Sequence, residues 1–372
     1  MSKQIRILLI LVTLFIPACM APGMIGFTPE STPAHSPGGS SPAVQAPANS
    51  TATATPFMPL PPTSTYVPTD FPTPVPTEIP TEVPAPANQF TNGASKSWDD
   101  YAGPTVWPDI DLPAPVGILP QPEGQVNIVL LGSDQRQDDY GFRTDTILLL
   151  TLDPSAGTAN ITSFPRDLYV YIPGWTVQRI NTAFPHGGFD TLSETFEYNF
   201  GVSPDYYVLI NFWSFTQVID TLDGIDVNVG AYLSDHRDKY GNYSVSPGIV
   251  HMDGETALWY VRARYSTSDF DRGRRQQEVI QAIFMRLLSL NAVSRAPELF
   301  DIYKRNVTTD IALEDITPLL PLAANLSDSS LIHHYYIGPE QVISFRNSSG
   351  AAVLLPIREA VLEVMRQALN SP

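Results

Sequence analysis

The sequence predicts an α/β fold, a three-layer α-β-α sandwich with a central mixed sheet flanked by helices, preceded by a disordered Pro/Thr-rich linker. Three observations carry this expectation. Short apolar runs rich in β-branched residues and bounded by turn residues read as buried strands. These runs alternate with helical patterns, which favours a layered α/β architecture. Prolines crowd one end, where 24 of the 36 lie at or before Pro122.

The elements follow in order. Lys3 and Arg6 precede an apolar run, Ile7 to Ile16, and then "IPAC". That is the form of an export signal over residues 1–19. The run is shorter than the roughly 18–20 residues a spanning helix needs. Cys19 is the single cysteine, so the chain forms no internal disulfide. Ile16, Ala18 and Cys19 resemble a lipobox, with Cys19 as the lipidation site, although Pro17 departs from that pattern. An uncleaved signal-anchor is the alternative. Both readings anchor the protein through its N-terminus on the outer face of a bacterial cytoplasmic membrane.

Residues 20–122 read as linker. Units such as "PTDFPTPVPTEIPTEVP" offer few large apolar residues to offset the entropy of ordering. They suit a semi-rigid polyproline-II spacer. Residues 123–372 read as the one globular domain, with its motifs in 125–290 and a helical C-terminal part in 291–372.

In that domain, "VNIVLLGS" (126–133), "TILLLTLD" (146–153) and "TANITSFP" (158–165) are three strands. A meander brings Asp134, Asp145 and Arg166 to one sheet edge. Helices are expected over 190–201 and 214–224, and strands over 205–212 and 225–229. Near the C-terminus, "HHYYIG" reads as a strand pair and 357–369 as an amphipathic helix.

The chain holds 21 Lys and Arg against 38 Asp and Glu, a net charge of −17. So acidic a protein lacks the basic face a nucleic-acid binder needs. Yet five arginines stand in the fourteen residues from Arg262 to Arg275. In "DGETALWYVRAR", Asp253 suits an N-cap, and Arg262 and Arg264 fall beside the stripe of Ala257, Leu258 and Val261. In the next helix the stripe of Val279, Ile280, Ile283, Phe284 and Leu287 runs back through Gln276 to Arg272. Both therefore point inward, and Arg274 falls on the solvated side. An inward arginine needs an anion. Asp269, Asp271 or Glu278 would serve as ion-pair partners. A diphosphate would serve as ligand, because guanidinium forks match phosphate oxygens.

Asp134 and Asp145, at the ends of two strands, read either as turn formers or as ligands for Mg2+. "GSD" at 132–134 is not a nucleophile elbow. His333 and His334 lack companions at metal spacing, and Trp213 and Phe215 read as core or channel wall rather than as a sugar platform.

Together "NIVLLGSDQR", "FRTDTILLLTLD", "ITSFPRDLYV", "RINTAFPHGG", "DYYVLINFWSFTQVIDTLDGIDVNV", "MDGETALWYVRARY" and "DFDRGRRQQEVIQAI" resemble, in order, the LytR–CpsA–Psr family of cell-envelope-related transcriptional attenuator domains. The resemblance implies an extracytoplasmic phosphotransferase. It would move a glycopolymer from a polyprenyl-diphosphate carrier to a peptidoglycan acceptor, forming a phosphodiester. The cofactor implied is Mg2+, or Mn2+ in its place, held by Asp134 and Asp145. Arg166, Arg262, Arg264 and Arg272 would bind the diphosphate with Gln276 beside them, and Arg143 and Asn181 fall in matching motifs. Asp134, Arg166 and Arg272 would be catalytic, Asp134 also as a base. The lipid tail would fill an apolar channel between sheet and helices, and a pyrophosphatase side activity is an extension of the same chemistry. The alternatives are a non-catalytic polyprenyl-diphosphate-binding adaptor and a transcriptional attenuator. The acidic charge and export signal count against the latter.

Overall fold

Two-residue periodicity builds the centre of the molecule. A computed structural model describes residues 90–91, 96–135, 141–264, 266–290, 304 and 307–370. All of these belong to one unit, Glu82–Pro372. The export signal, Cys19 and the linker up to residue 89 lie outside the described residues.

Strands β1 (Val126–Ser133), β2 (Thr144–Asp153) and β3 (Thr158–Ser163) form the expected antiparallel meander. A small hairpin, β4 (Tyr169–Ile172) and β5 (Thr176–Arg179), follows. Helix α1 (Ala183–Phe200) comes next, kinked at Gly187 and Gly188, and Leu192, Phe196 and Phe200 are its fully buried stripe. Strand β6 (Tyr206–Asn211) returns parallel to β1. Helix α2 (Phe212–Thr221) begins at Asn211, whose side chain caps the Ser214 amide.

Two hairpin pairings then stand apart from the main sheet. Strand β7 (Ile225–Val229) pairs with β10 (Gly248–Met252), and β8 (Leu233–Arg237) pairs with β9 (Gly241–Val245). Helices α3 (Gly254–Arg262) and α4 (Asp269–Ser289) carry the arginine cluster. Strand β11 (Thr308–Thr309) and short helix α5 (Leu320–Asn325) lead to β12 (Ile332–Tyr336). A last hairpin, β13 (Val342–Arg346) with β14 (Ala352–Pro356), precedes α6 (Arg358–Asn370).

The main sheet has the order β11-β6-β1-β2-β3-β12 and is mixed, with β6 and β12 joined in parallel. Side chains alternate across it. Val129, Leu131, Ile147 and Leu149 share one apolar cluster with α1 and α6. Leu130, Leu148, Leu150 and Ile161 face the opposite way, toward α4 and α5. That is the three-layer sandwich expected.

Several boundaries move. Residues 96–122, read as linker, pack on the domain. Tyr101 and Leu119 are buried, Tyr101 donates to Glu197, and Tyr198 donates to the Pro113 carbonyl. Arg358 donates to the carbonyls of Ala114 and Pro115. The composition is that of a spacer, but its few large side chains and its free carbonyls are enough to dock it. The C-terminal part is not uniformly helical, because β12, β13 and β14 occupy much of 332–356. The "HHYYIG" segment is a single strand added to the edge of the main sheet at β3, rather than a pair by itself.

Candidate active site

The sheet edge and the two arginine-bearing helices meet at one cavity. It has a volume of about 1280 Å3. Its walls are Ile128, Leu130, Leu148 and Leu150 from the sheet and Ile280, Ile283, Phe284 and Leu287 from α4. Thus the α4 stripe, expected to face a packed core, mostly faces a channel. These residues are only partly buried, whereas Val279 is 1 % exposed. Phe215 is channel wall as expected. Trp213 is neither core nor wall: it is 64 % exposed. The helix starts at Phe212, and this turns Trp213 outward.

Asp134, Asp145, Arg166, Arg262, Arg264, Arg272 and Gln276 all border this same cavity. Asp134 follows the last residue of β1, and its Oδ1 accepts the Arg143 amide at 2.7 Å. Asp145 lies inside β2. The register moves there from Gly132 opposite Thr146 to Ser133 opposite Thr144, so Asp145 is the extra residue of a β-bulge. Bulges re-aim a side chain, and here the bulged residue sits at the channel rim.

The Asp145 carboxylate accepts from Arg166 Nη1 at 2.7 Å and from Asn181 Nδ2 at 3.1 Å. Asn181 Oδ1 is buried without a hydrogen-bond partner among the described residues. Arg166 also approaches Asp167 at 3.4 Å and Asp269 at 4.0 Å. Burial works against the charge on Arg166, but Asp145, Asp167 and Asp269 outweigh it and raise its pKa.

Helix α4 is started by a capping box between Ser268 and Asp271. Arg272 and Gln276 are 6 % and 8 % exposed, facing the sheet as the stripe requires. Gly273 permits this approach, since a Cβ there would stand 2.8 Å from Ser163 Oγ. Gln276 donates to Thr146 Oγ1 at 2.8 Å. Arg272 Nη2 lies 2.8 Å from Asp269 Oδ1. Burial lowers the Arg272 pKa against the pull of Asp269, and burial raises that of Asp269 against Arg272 and Arg166. The ion-pair partner anticipated for Arg272 and its position at the cavity are therefore both present.

The remaining arginines separate. Helix α3 stops at Arg262, so Arg264 lies beyond it, and both are exposed at the rim. The Arg262 guanidinium lies 4.2 Å from the Phe212 ring centroid. Arg143 is exposed and does not border the cavity. Arg274, expected in solvent, is half-buried and paired with Glu278. Arg275 was missed. It is fully buried and donates to the carbonyls of Tyr260, Ala263 and Asp271 and to Thr267 Oγ1. Its signal was present in the register of Arg275, Val279 and Ala282, a second buried stripe that faces the hairpins.

The donor set suits a hard cation. Asp134 and Asp145 offer carboxylate oxygens at one rim, and Mg2+ commonly takes one or two carboxylates plus phosphate and water. Asn181 is buried and does not border the cavity; its amide nitrogen holds the Asp145 carboxylate from behind.

The LytR_cpsA_psr family profile matches residues 93–347. The chain belongs to this family. A relative, the polyisoprenyl-teichoic acid–peptidoglycan teichoic acid transferase TagU of Oceanobacillus iheyensis, is 34 % identical over 260 residues, covering 64 % of this chain and 79 % of that protein. The corresponding transferase TagT of Bacillus subtilis is 32 % identical, covering 59 % of this chain and 71 % of its own. Among solved structures, TagT bound to LIIa-WTA superposes with a TM-score of 0.55 at 28 % identity, over 66 % of this chain and 90 % of that one. The family match begins at residue 93, which agrees with the packed segment that the composition had assigned to linker.

Proposed function

We propose that this family member transfers a glycopolymer from a polyprenyl-diphosphate carrier to peptidoglycan, outside the cytoplasmic membrane. One observation carries the reading: an apolar channel of about 1280 Å3 opens onto a rim of arginines and carboxylates. An apolar tail with a charged diphosphate head needs both. The channel exceeds the roughly 300–1,000 Å3 of ordinary small-molecule sites, as a long prenyl chain requires. The relatives named as teichoic acid transferases act on the same kind of donor and acceptor.

In this reading Arg166, Arg262, Arg264 and Arg272 receive the diphosphate, with Gln276 and Asn181 fixing the geometry around it. The acceptor hydroxyl attacks phosphorus, Asp134 takes its proton, and the polyprenyl phosphate leaves into the channel with its charge held by the arginines. Asp134 and Asp145 would hold Mg2+, which would supply further charge neutralisation. Water in place of the acceptor gives pyrophosphatase activity. A tether at the N-terminus, through lipid on Cys19 or a signal-anchor, keeps the channel near the carrier's membrane. A non-catalytic binder would need the channel and arginines but not Asp134.

That difference supplies the test. Arg272→Ala is expected to weaken carrier affinity and transfer together, by about ten- to a hundredfold for a charge-assisted hydrogen bond of roughly 1.5–3 kcal/mol. Asp134→Ala is expected to cost much more in turnover than in carrier affinity. Full turnover in Asp134→Ala would leave only a binder.

A further inference from the structure

Among the described residues, the charged side chains on the channel wall fall into two groups. One is the rim of arginines and carboxylates. The other is the tip of hairpin β8–β9, from Asp235 to Lys239, together with Glu255 at the start of α3. Helix α3 joins the two. Glu255, Leu258, Trp259 and Arg262 recur at steps of three and four, so they share one helix face, and all four border the channel. The helical rise puts Glu255 roughly 10 Å from Arg262 along the axis. Trp259 fastens the hairpin to this face, because its Nε1 donates to the His236 carbonyl at 3.0 Å. Arg237 is the unusual member. Its side chain is only 9 % exposed, yet it lies on the channel wall. The guanidinium stands 4.4 Å and 4.6 Å from the ring centroids of Tyr240 and Tyr243, and 4.0 Å from the Glu255 carboxylate. Among the described residues it donates no hydrogen bond. Ring faces attract its charge, but five N–H donors so nearly buried call for acceptors.

Resting on the transfer reading above, we infer that this second group seats neutral sugar rings of the donor saccharide, with Arg237 donating to their oxygens. The carrier's diphosphate joins two parts. The prenyl tail takes the apolar walls, and the saccharide needs a polar wall that continues from the rim. The hairpin tip supplies it. A gap of roughly 10 Å along α3 exceeds the reach of one diphosphate, and a saccharide linked to that diphosphate spans it. The charge pattern selects a neutral ring over an anionic one. Arg237 and Lys239 stand among Asp235, Asp238 and Glu255. Hydroxyls both donate and accept, so a sugar satisfies groups of either sign. An anion drawn to Arg237 would meet the Glu255 carboxylate beside it. Glu255 and Lys239, 3.8 Å apart, are both exposed, so a ligand reaches the group from solvent.

The test is a binding comparison on the full chain, independent of turnover. Two probes are used: a short-chain polyprenyl diphosphate without sugar, and the same carrier bearing a neutral disaccharide. The wild-type protein is expected to bind the second more tightly. Arg237→Met keeps the packing of the side-chain stem. It is expected to weaken the saccharide-bearing carrier by roughly tenfold or more, the range for a hydrogen bond from a charged group, and to leave the Kd of the bare carrier unchanged. Glu255→Ala, at an exposed position, is expected to weaken the saccharide-bearing carrier by about two- to tenfold at an unchanged melting temperature; it covers the case in which Arg237→Met does not fold. An unchanged Kd for the saccharide-bearing carrier in every folded variant would overturn the subsite, as would an equal loss for the bare carrier. Tighter binding in Glu255→Ala would overturn it too, by marking Arg237 as the seat of an anion. A wild-type protein that binds both probes equally would refute the subsite alone, whereas one that binds neither would refute the transfer reading with it.

Discussion

Arg272 and Arg275 stand three residues apart on α4 and do different work. Arg272 borders the channel and meets one carboxylate, that of Asp269. Arg275 donates to main-chain carbonyls and a threonine hydroxyl, lies over the Tyr260 ring, and closes the end of α3. Removing Arg275 strands buried carbonyls of Tyr260 and Ala263, at about 1–3 kcal/mol for each unsatisfied group. Arg275→Ala is therefore expected to lower the melting temperature sharply, while Arg272→Ala lowers it less and acts on carrier affinity. Thermal denaturation and a binding isotherm on the two variants separate these roles; equal melting temperatures with equal affinity losses would refute them. The sequence stripe placed Arg272 and Gln276 inward because both continue the apolar row at Val279. It hid Arg275 because α4 is buried on two sides, and one stripe was read.

At the scale of elements, β12 is tied to α4 by a histidine. His334 Nδ1 lies 2.6 Å from Gln277 Oε1, and Gln277 Nε2 donates to the carbonyls of Ile161 and Tyr335. The amide nitrogen is thus used as a donor, which leaves its oxygen to accept from a neutral, Nδ1-protonated imidazole. Burial lowers the His334 pKa from its ordinary value of 6.5. The unfolded chain takes up this proton near 6.5, and the folded protein only at lower pH. Stability contributed by His334 is therefore present above that value and lost as pH falls below it. Replacing His334 by Gln is expected to flatten the fall of stability between pH 6.5 and lower values, read by denaturant titration; an unchanged pH profile would contradict this. The meander was legible in the sequence because each strand is a short run of apolar and β-branched residues. Hairpin β8–β9 was not, because the buried face of "LSDHR" is Leu233, Asp235 and Arg237, two of them charged, which masks the apolar alternation, and "GNYSV" buries only Val245. Trp213 was misread because α2 starts two residues earlier than the apolar spacing indicated.

Across the whole molecule, residues 96–122, just before β1, are part of the domain. Tyr101, Tyr171 and Tyr198 pack edge to face with ring centroids 4.8–4.9 Å apart, and Glu197 joins Tyr101 to Lys96. A proline-rich composition conceals this, since what docks is a few aromatic side chains and carbonyls in an otherwise spacer-like stretch. A chain beginning at Gly124 is therefore expected to melt well below one beginning at Lys96, and equal melting temperatures would show that the segment is dispensable.

The transfer reaction tests the channel and its charged rim most directly. The purified domain would be incubated with Mg2+, a polyprenyl-diphosphate-linked saccharide and peptidoglycan fragments, and the products weighed by mass spectrometry. A fragment heavier by the saccharide phosphate is expected, formed together with one equivalent of polyprenyl phosphate, and neither product with Asp134→Ala. Carrier bound by the protein but returned intact, with the fragments unchanged in mass, would contradict it.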